Sequence, residues 1–356
     1  MVFFIGCNGK KEGTIKTNFK NQYNLSVELL DSSIFIADPS YVFTDGTYII
    51  WKDPFNDYNI TIYDIESKKS KRFLKKGNGP NEYTQSPFIY CYNSDKGIVI
   101  ETFTPVINRV SRYSFQALHD SLHQINTLEL TTDMNTTFSN NPSQDKNIAI
   151  PMRGVLTCEN TYVSLGFFNS LFGIYRNGLY LKSNINFLEP PTENVSNYHQ
   201  SASSLNSVFQ FNHKMNKLAL GYIFGKVLSV YSVDNDSIIN DWTSKDFLPY
   251  YTTSKTNVIA DSKKTRYAYV DITSTDEYIY ALYSGRLVGD NISSHYSKSI
   301  EVFTWHGVPV CKFNIDTPLT CISVSNDNKN IYGFGNRENT FNINLYTIKI
   351  PQDALK

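Results

Sequence analysis

The sequence predicts an all-β fold, a six-bladed β-propeller of four-stranded antiparallel blades whose last blade is closed by a strand from the N-terminus. Three observations lead there. The composition favours pleated sheet, one pair of strands recurs six times, and the two ends of the chain carry complementary parts of a single blade.

The 356 residues include 25 Tyr and 23 Phe, with abundant Ile, Val, Thr and Asn. Such side chains pack well on pleated surfaces and are poorer helix formers than Ala or Leu. Lys plus Arg and Asp plus Glu number 33 each, so no net field draws the chain to nucleic acid or to an anionic membrane surface. No run approaches the 18 or so consecutive apolar residues of a transmembrane helix.

The recurring unit is an alternating strand carrying a Tyr or Phe near its end. It reads NITIYD at 59–64, NRVSRYS at 108–114, LFGIYR at 171–176, VLSVYS at 227–232, SIEVFT at 299–304 and NINLYT at 342–347. The aromatic anchors Tyr63, Tyr113, Tyr175, Tyr231, Phe303 and Tyr346 recur about every 57 residues, as four strands plus variable loops require. Before each lies a partner strand: TYIIW at 47–51, GIVIE at 97–101, TYVSL at 161–165, KLALG at 217–221, EYIYA at 277–281 and NIYGF at 330–334. Short turns rich in Asp, Asn, Gly and Ser precede these strands. Further upstream, runs such as FIYCY at 88–92, AYVDI at 268–272 and TCISV at 320–324 supply the innermost strands.

The ends complete the count. After strands near 320–324, 330–334 and 341–350 only PQDALK remains, so the sixth blade lacks its fourth strand. LSVELL at 25–30 and SIFIA at 33–37 precede the first blade, and one of them can fill the gap, leaving no long unpaired edge. An irregular β-sandwich or two small β domains would explain neither the six matched repeats nor this complementarity. The expected organisation is a signal remnant and flexible tether over 1–23 and a propeller over 24–356. Its blades fall near 38–76, 86–128, 148–189, 205–249, 266–315 and 318–350, the last joined by a strand from 24–37.

With strands a to d running outward in each blade, the d-to-a crossovers and b-to-c loops open on one face. The a-to-b and c-to-d turns open on the other. The longest polar stretches, 128–147, 189–205, 250–265 and 284–298, all belong to the first face. Long loops on a rigid scaffold are the usual carriers of binding residues, so this face is the expected binding surface. Arg153 and Arg266 lie at the start of innermost strands and Arg286 in a long loop. They offer either an anion-recognising cluster or guanidinium groups paired locally with Asp or backbone carbonyls.

The segment GNGPNEY at 77–83 is the most specific local motif. It reads as a tight crossover from blade 1 to blade 2, in which Glu82 can accept backbone N–H bonds beside Tyr83, or as a ligand contact. Phosphate-binding glycine loops open a helix, and no helical pattern follows Tyr83. No CxxC pair or zinc spacing appears among Cys91, Cys158, Cys311 and Cys321 and the scattered histidines. A Cys311–Cys321 disulfide and buried free thiols both fit. No cofactor, metal or catalytic cluster is expected. The His residues of HDSLH at 119–123 fall on strand and turn, without the shared helical face that would make them a pair of ligands.

At the N-terminus, MVFFIG precedes Cys7 as the end of a lipoprotein signal does. The apolar run is shorter than a complete secretory signal and has no basic start, so the segment reads as a signal remnant or as a short disordered tail. An acylated Cys7 would carry the two or more lipid chains that stable anchoring needs.

The GNGPNEY crossover, the repeated I-x-[IV]-Y strands and the lipobox-like Cys7 together resemble the TolB-like six-bladed propeller lipoproteins of Gram-negative, Bacteroides-type bacteria. The likeness runs from about residue 24 to the end. Asn81 stands where that family usually has glycine, a mild change because Asn tolerates left-handed backbone. The resemblance implies a cell-envelope, outer-membrane location, periplasmic or surface-facing, and transfers no catalytic residue. The expected function is a lipid-anchored, monomeric binding or scaffold module for a protein or glycan, touching the membrane only through its anchor and binding no nucleic acid. The alternative is a hydrolase or lyase with its site at the channel mouth.

Overall fold

A computed structural model describes residues 14–15, 17–34, 36–53, 57–79, 82–116, 121–131, 149–158, 160–188, 197–234, 237–253, 258–290, 295–336 and 342–355. Six four-stranded antiparallel blades follow one another along the chain, the last two continuous in one eight-stranded sheet. Blade 1 consists of Tyr41–Thr44, Tyr48–Lys52, Tyr58–Asp64 and Lys69–Lys75, and blade 2 of Phe88–Ser94, Gly97–Thr104, Arg109–Gln116 and Ser121–Glu129. Blade 3 runs from Ile150–Cys158 through Thr161–Phe167 and Gly173–Arg176 to Leu179–Lys182. Blade 4 contains Ser207–Asn212, Lys217–Tyr222, Lys226–Val233 and Ile238–Phe247.

Blades 5 and 6 share a strand. Blade 5 is built from Tyr269–Ser274, Tyr278–Tyr283, Ser297–Thr304 and the first half of Pro309–Val324; the second half of that strand opens blade 6. Asn330–Gly335 and Asn344–Lys349 follow, and Glu28–Asp31 pairs antiparallel with the latter, Tyr346 opposite Leu29, to close the ring. The second spare run, at 33–37, forms no strand among its described residues; Ile36 is buried there against blades 1 and 6.

The repeated aromatic residue has a common task. Each anchor other than Tyr113 is at most 2% exposed and fills the seam between its own blade and the one before it. Tyr63 packs with Tyr332 and Phe334 of blade 6, Tyr231 meets Phe172 of blade 3 at 5.0 Å, and Phe303 meets Trp242 of blade 4 at 6.3 Å. Neighbouring blades diverge outward, so the seam is wedge-shaped and takes a large ring; burying one contributes about 2–3 kcal/mol. Tyr113 is only half-buried and instead shares a hydrogen bond with Tyr83.

Part of the expected tether is docked. Thr14–Ile15 adds a parallel strand to the outer edge of blade 4 and Gln22–Leu25 another to blade 5. Between them Phe19 packs edge-on against Phe303 at 5.2 Å. The described cysteines are free, so the Cys311–Cys321 disulfide is not formed; Cys91, Cys311 and Cys321 are buried and Cys158 is exposed. No helix among the described residues is long and apolar enough to cross a membrane.

Candidate functional site

The four long stretches join Glu129 to Ile150, Lys182 to Ser207, Phe247 to Tyr269 and Tyr283 to Ser297, and topology therefore places them on one face. Among the described residues, two of these stretches carry secondary structure of their own. The helix Asn197–Ser204 buries His199, Ser201 and Ser204, and Ser201 Oγ donates to Phe168 O at 2.9 Å. Tyr251–Thr253 and Val258–Ala260 form a hairpin that pairs with no blade. An isolated hairpin is marginal in water. Here burial of Tyr251 holds it down, and Thr265 Oγ1 donates to Tyr250 O at 2.7 Å. Tyr250 and Ile259 on the same hairpin are 44% and 62% exposed.

The three arginines do not form one cluster. The Arg153 guanidinium bridges blades 3 and 4: Nη2 donates to Leu205 O at 2.6 Å and to Ser207 O, and the group lies over the Phe209 ring. Burial lowers its pKa to about 10. Arg266 and Arg286, by contrast, are both exposed. Their backbones are stitched together, with Tyr267 N donating to Arg286 O at 2.9 Å and Arg266 bridged to Leu287. Arg266 Nη1 reaches Gly285 O at 2.8 Å. The same layer includes the 262–264 turn, joined by Gly289 N to Ser262 O, which adds the exposed Lys263 and Lys264. A basic patch thus adjoins the apolar hairpin.

Glu82 and Tyr83 are occupied within their own crossover. The Glu82 carboxylate accepts from Gly79 N at 2.9 Å and from Lys75 Nζ at 2.8 Å, and Lys75 holds its pKa below the usual range. It lies over Gly77, whose φ of +154° is one that residues with a side chain rarely adopt. The Tyr83 hydroxyl bonds Tyr113 at 2.7 Å and Thr102 at 3.0 Å. Pro80 and Asn81, like Cys7, His119 and Asp120, lie outside the described residues.

Composition and loop length did not reveal a cavity of about 620 Å3 on the opposite face, at the a-to-b turns. It arises because the innermost strands of blades 2 and 4 meet. Phe88 stacks on Phe209 at 5.5 Å, Tyr92 stacks on His213 at 3.8 Å, and Tyr90 Oη donates to Phe211 O while accepting from Phe211 N. Contact between these two blades leaves the wider part of the channel mouth bounded by blades 1, 2, 4, 5 and 6, where Thr44, Asn93, Gln210, Thr273 and Asn326 line it. The available signal was the matched series Phe88, Tyr90, Tyr92 and Phe209, Phe211, His213, bulkier than the inner strands of blades 5 and 6.

Two carboxyls, the buried Glu101 and the half-buried Asp271, resemble proton-transfer groups by pKa, but their geometry is that of interblade ties. Burial raises Glu101 to about 7, against the pull of Arg112, and its Oε2 accepts from Leu156 N of blade 3 at 3.0 Å. Burial likewise raises Asp271 to about 7, and its Oδ2 accepts from Ile322 N of blade 6 at 2.8 Å. Among the described residues, no group of three or more His, Cys, Asp or Glu could hold a metal ion.

The fold aligns with solved structures at low identity. A DUF4221-family protein from Bacteroides vulgatus shares 13% identity, with 91% of this chain and 96% of that one covered and a TM-score of 0.49. U3-55K shares 6%, with 91% and 98% covered and a TM-score of 0.48. A luciferin-regenerating enzyme shares 12%, with 92% and 95% covered and a TM-score of 0.45. No curated protein matches the sequence. Residues 17–327 match the family described as TolB-like 6-blade propeller-like, and with six blades and the N-terminal closure in place, the chain belongs to that family.

Proposed function

We propose that this propeller is a binding module, tethered in the cell envelope by acylation of Cys7, that takes a protein partner on its loop-bearing face. The observation that carries the reading is the hairpin inserted between blades 4 and 5. It exposes Tyr250 and Ile259 beside a layer in which the cations Lys263, Lys264, Arg266 and Arg286 outnumber the carboxylates Asp261, 4.0 Å from Lys264, and Asp290. An exposed aromatic and aliphatic pair rimmed by cations has the anatomy of an interface centre, and its complement is an apolar knob flanked by carboxylates. Propellers commonly serve as protein-binding scaffolds.

The test is crosslinking of the full-length protein in its native envelope, followed by mass spectrometry. The wild type is expected to yield a discrete partner, and Ile259→Asp combined with Arg266→Glu to lose it while keeping the wild-type melting temperature. Retention of the same partner by that variant would refute the loop-face reading. Metabolic labelling with a fatty acid reports separately on Cys7: Cys7→Ala should abolish incorporation, and an unlabelled wild type would remove the anchor from the proposal.

A further inference from the structure

We infer that the channel-mouth cavity on the a-to-b turn face is a second binding site, built for a neutral carbohydrate of one or two sugar units. The inference is independent of the loop-face reading, since the two sites lie on opposite faces and share no residue.

Size comes first. At about 620 Å3 the cavity falls within the usual range for small-ligand sites. Its chemistry then selects among ligands. The wall is rich in short amide and hydroxyl side chains, among them Asn93, Ser94, Gln210, Thr273, Ser274 and Asn326. Each of these groups can donate and accept, as every hydroxyl of a sugar can. Charge is sparse and offset: Lys214 is paired with Asp276 at 3.1 Å, leaving Asp95 as the other carboxylate in the wall. A phosphate or carboxylate ligand would meet no surplus cation here. A carboxylate such as Asp95 can instead accept from two adjacent hydroxyls of a pyranose.

An apolar platform completes the site. Tyr92 is half-buried and stacked on His213, which itself abuts Phe211. Its ring is thereby fixed at the wall, where it can take the C–H face of a sugar ring. Burial keeps His213 neutral down to a pH of about 3, so the platform carries no charge near neutrality. The rim is also pre-organised. Asn93 Nδ2 donates to Asn326 Oδ1 at 2.9 Å, linking the turns of blades 2 and 6, and Asn212 Oδ1 caps Lys214 N and Met215 N at 3.0 Å each. Little ordering cost is left for the ligand to meet.

The probes are glucose, galactose, mannose, N-acetylglucosamine, maltose and cellobiose, titrated to about 20 mM and followed by saturation-transfer NMR, with affinities on the order of 1 mM expected for a small neutral ligand. At least one should bind saturably to the full chain. The double variant Asp95→Ala, Asn326→Ala changes only exposed turn residues, so it should fold and melt as the wild type does while binding that sugar about tenfold or more weakly. Ile259→Asp on the other face should leave sugar binding unchanged. Absence of saturable binding by all six sugars, or binding equal in the wild type and the double variant, would overturn the inference. Either result leaves the crosslinking outcome for the loop face untouched.

Discussion

Arg153 lies within Ile150–Cys158, paired with Leu165, and Arg266 lies three residues before Tyr269–Ser274, although both were expected at the start of an innermost strand, and their side chains have opposite fates. The Arg153 guanidinium is spent on the carbonyls of Leu205 and Ser207, whereas Arg266 is exposed and makes one bond to Gly285. Arg153→Ala strands buried carbonyls and should cost about 2–4 kcal/mol in urea unfolding, while Arg266→Ala should stay within about 0.5 kcal/mol of the wild type. Asp271 allows a test by pH. Its pKa of about 7 in the folded chain lies above the ordinary 3.8, so the native state keeps a proton that the unfolded chain releases. The stability this contributes is full below about pH 4 and is lost as pH rises through about 7. Asp271→Asn keeps an acceptor for Ile322 N but cannot titrate. Between about pH 5 and pH 8 the wild type should therefore lose on the order of 1–3 kcal/mol relative to this variant, measured by denaturant midpoints at both pH values.

At the scale of elements, the N-terminal segment is a staple across three successive outer edges. Thr14–Ile15 lies on blade 4, Gln22–Leu25 on blade 5 and Glu28–Asp31 on blade 6, and the Tyr63 hydroxyl of blade 1 donates to Asp31 at 2.9 Å. Removing residues 1–32 would expose the edge of Asn344–Lys349 and uncover core around Val27. Such a truncation should lower the thermal midpoint by roughly 10 °C or more and promote association through the open edge, checked by calorimetry and light scattering. The closing strand was legible because a blade with three strands and a spare strand at the other terminus account for each other. The parallel additions on blades 4 and 5 were not, because pairing at an outer edge needs backbone groups rather than a hydrophobic pattern, and the segment around them is polar.

For the whole molecule, the contact between blades 2 and 4 decides where the channel is open. The Tyr90 hydroxyl both donates to and accepts from the Phe211 backbone, so Tyr90→Phe leaves a buried N–H and C=O unpaired. It should cost about 2 kcal/mol in chemical unfolding and speed hydrogen exchange at the Phe211 amide, with little change at blades 5 and 6. The loop-bearing face and the cavity-bearing face are thereby separate surfaces on one rigid ring, and substitutions on one should not alter binding on the other.

Six blades, the closing strand and the face carrying the long loops all follow from the order of residues along the chain. Alternation, turn chemistry and loop length are local quantities that sequence spacing records directly. The spending of Arg153, the pairing of Arg266 with Arg286, the docking of Phe19 and the cavity beside Tyr92 were decided by tertiary structure. Each depends on which groups from distant blades come within a few ångströms, and no period along one chain encodes that distance.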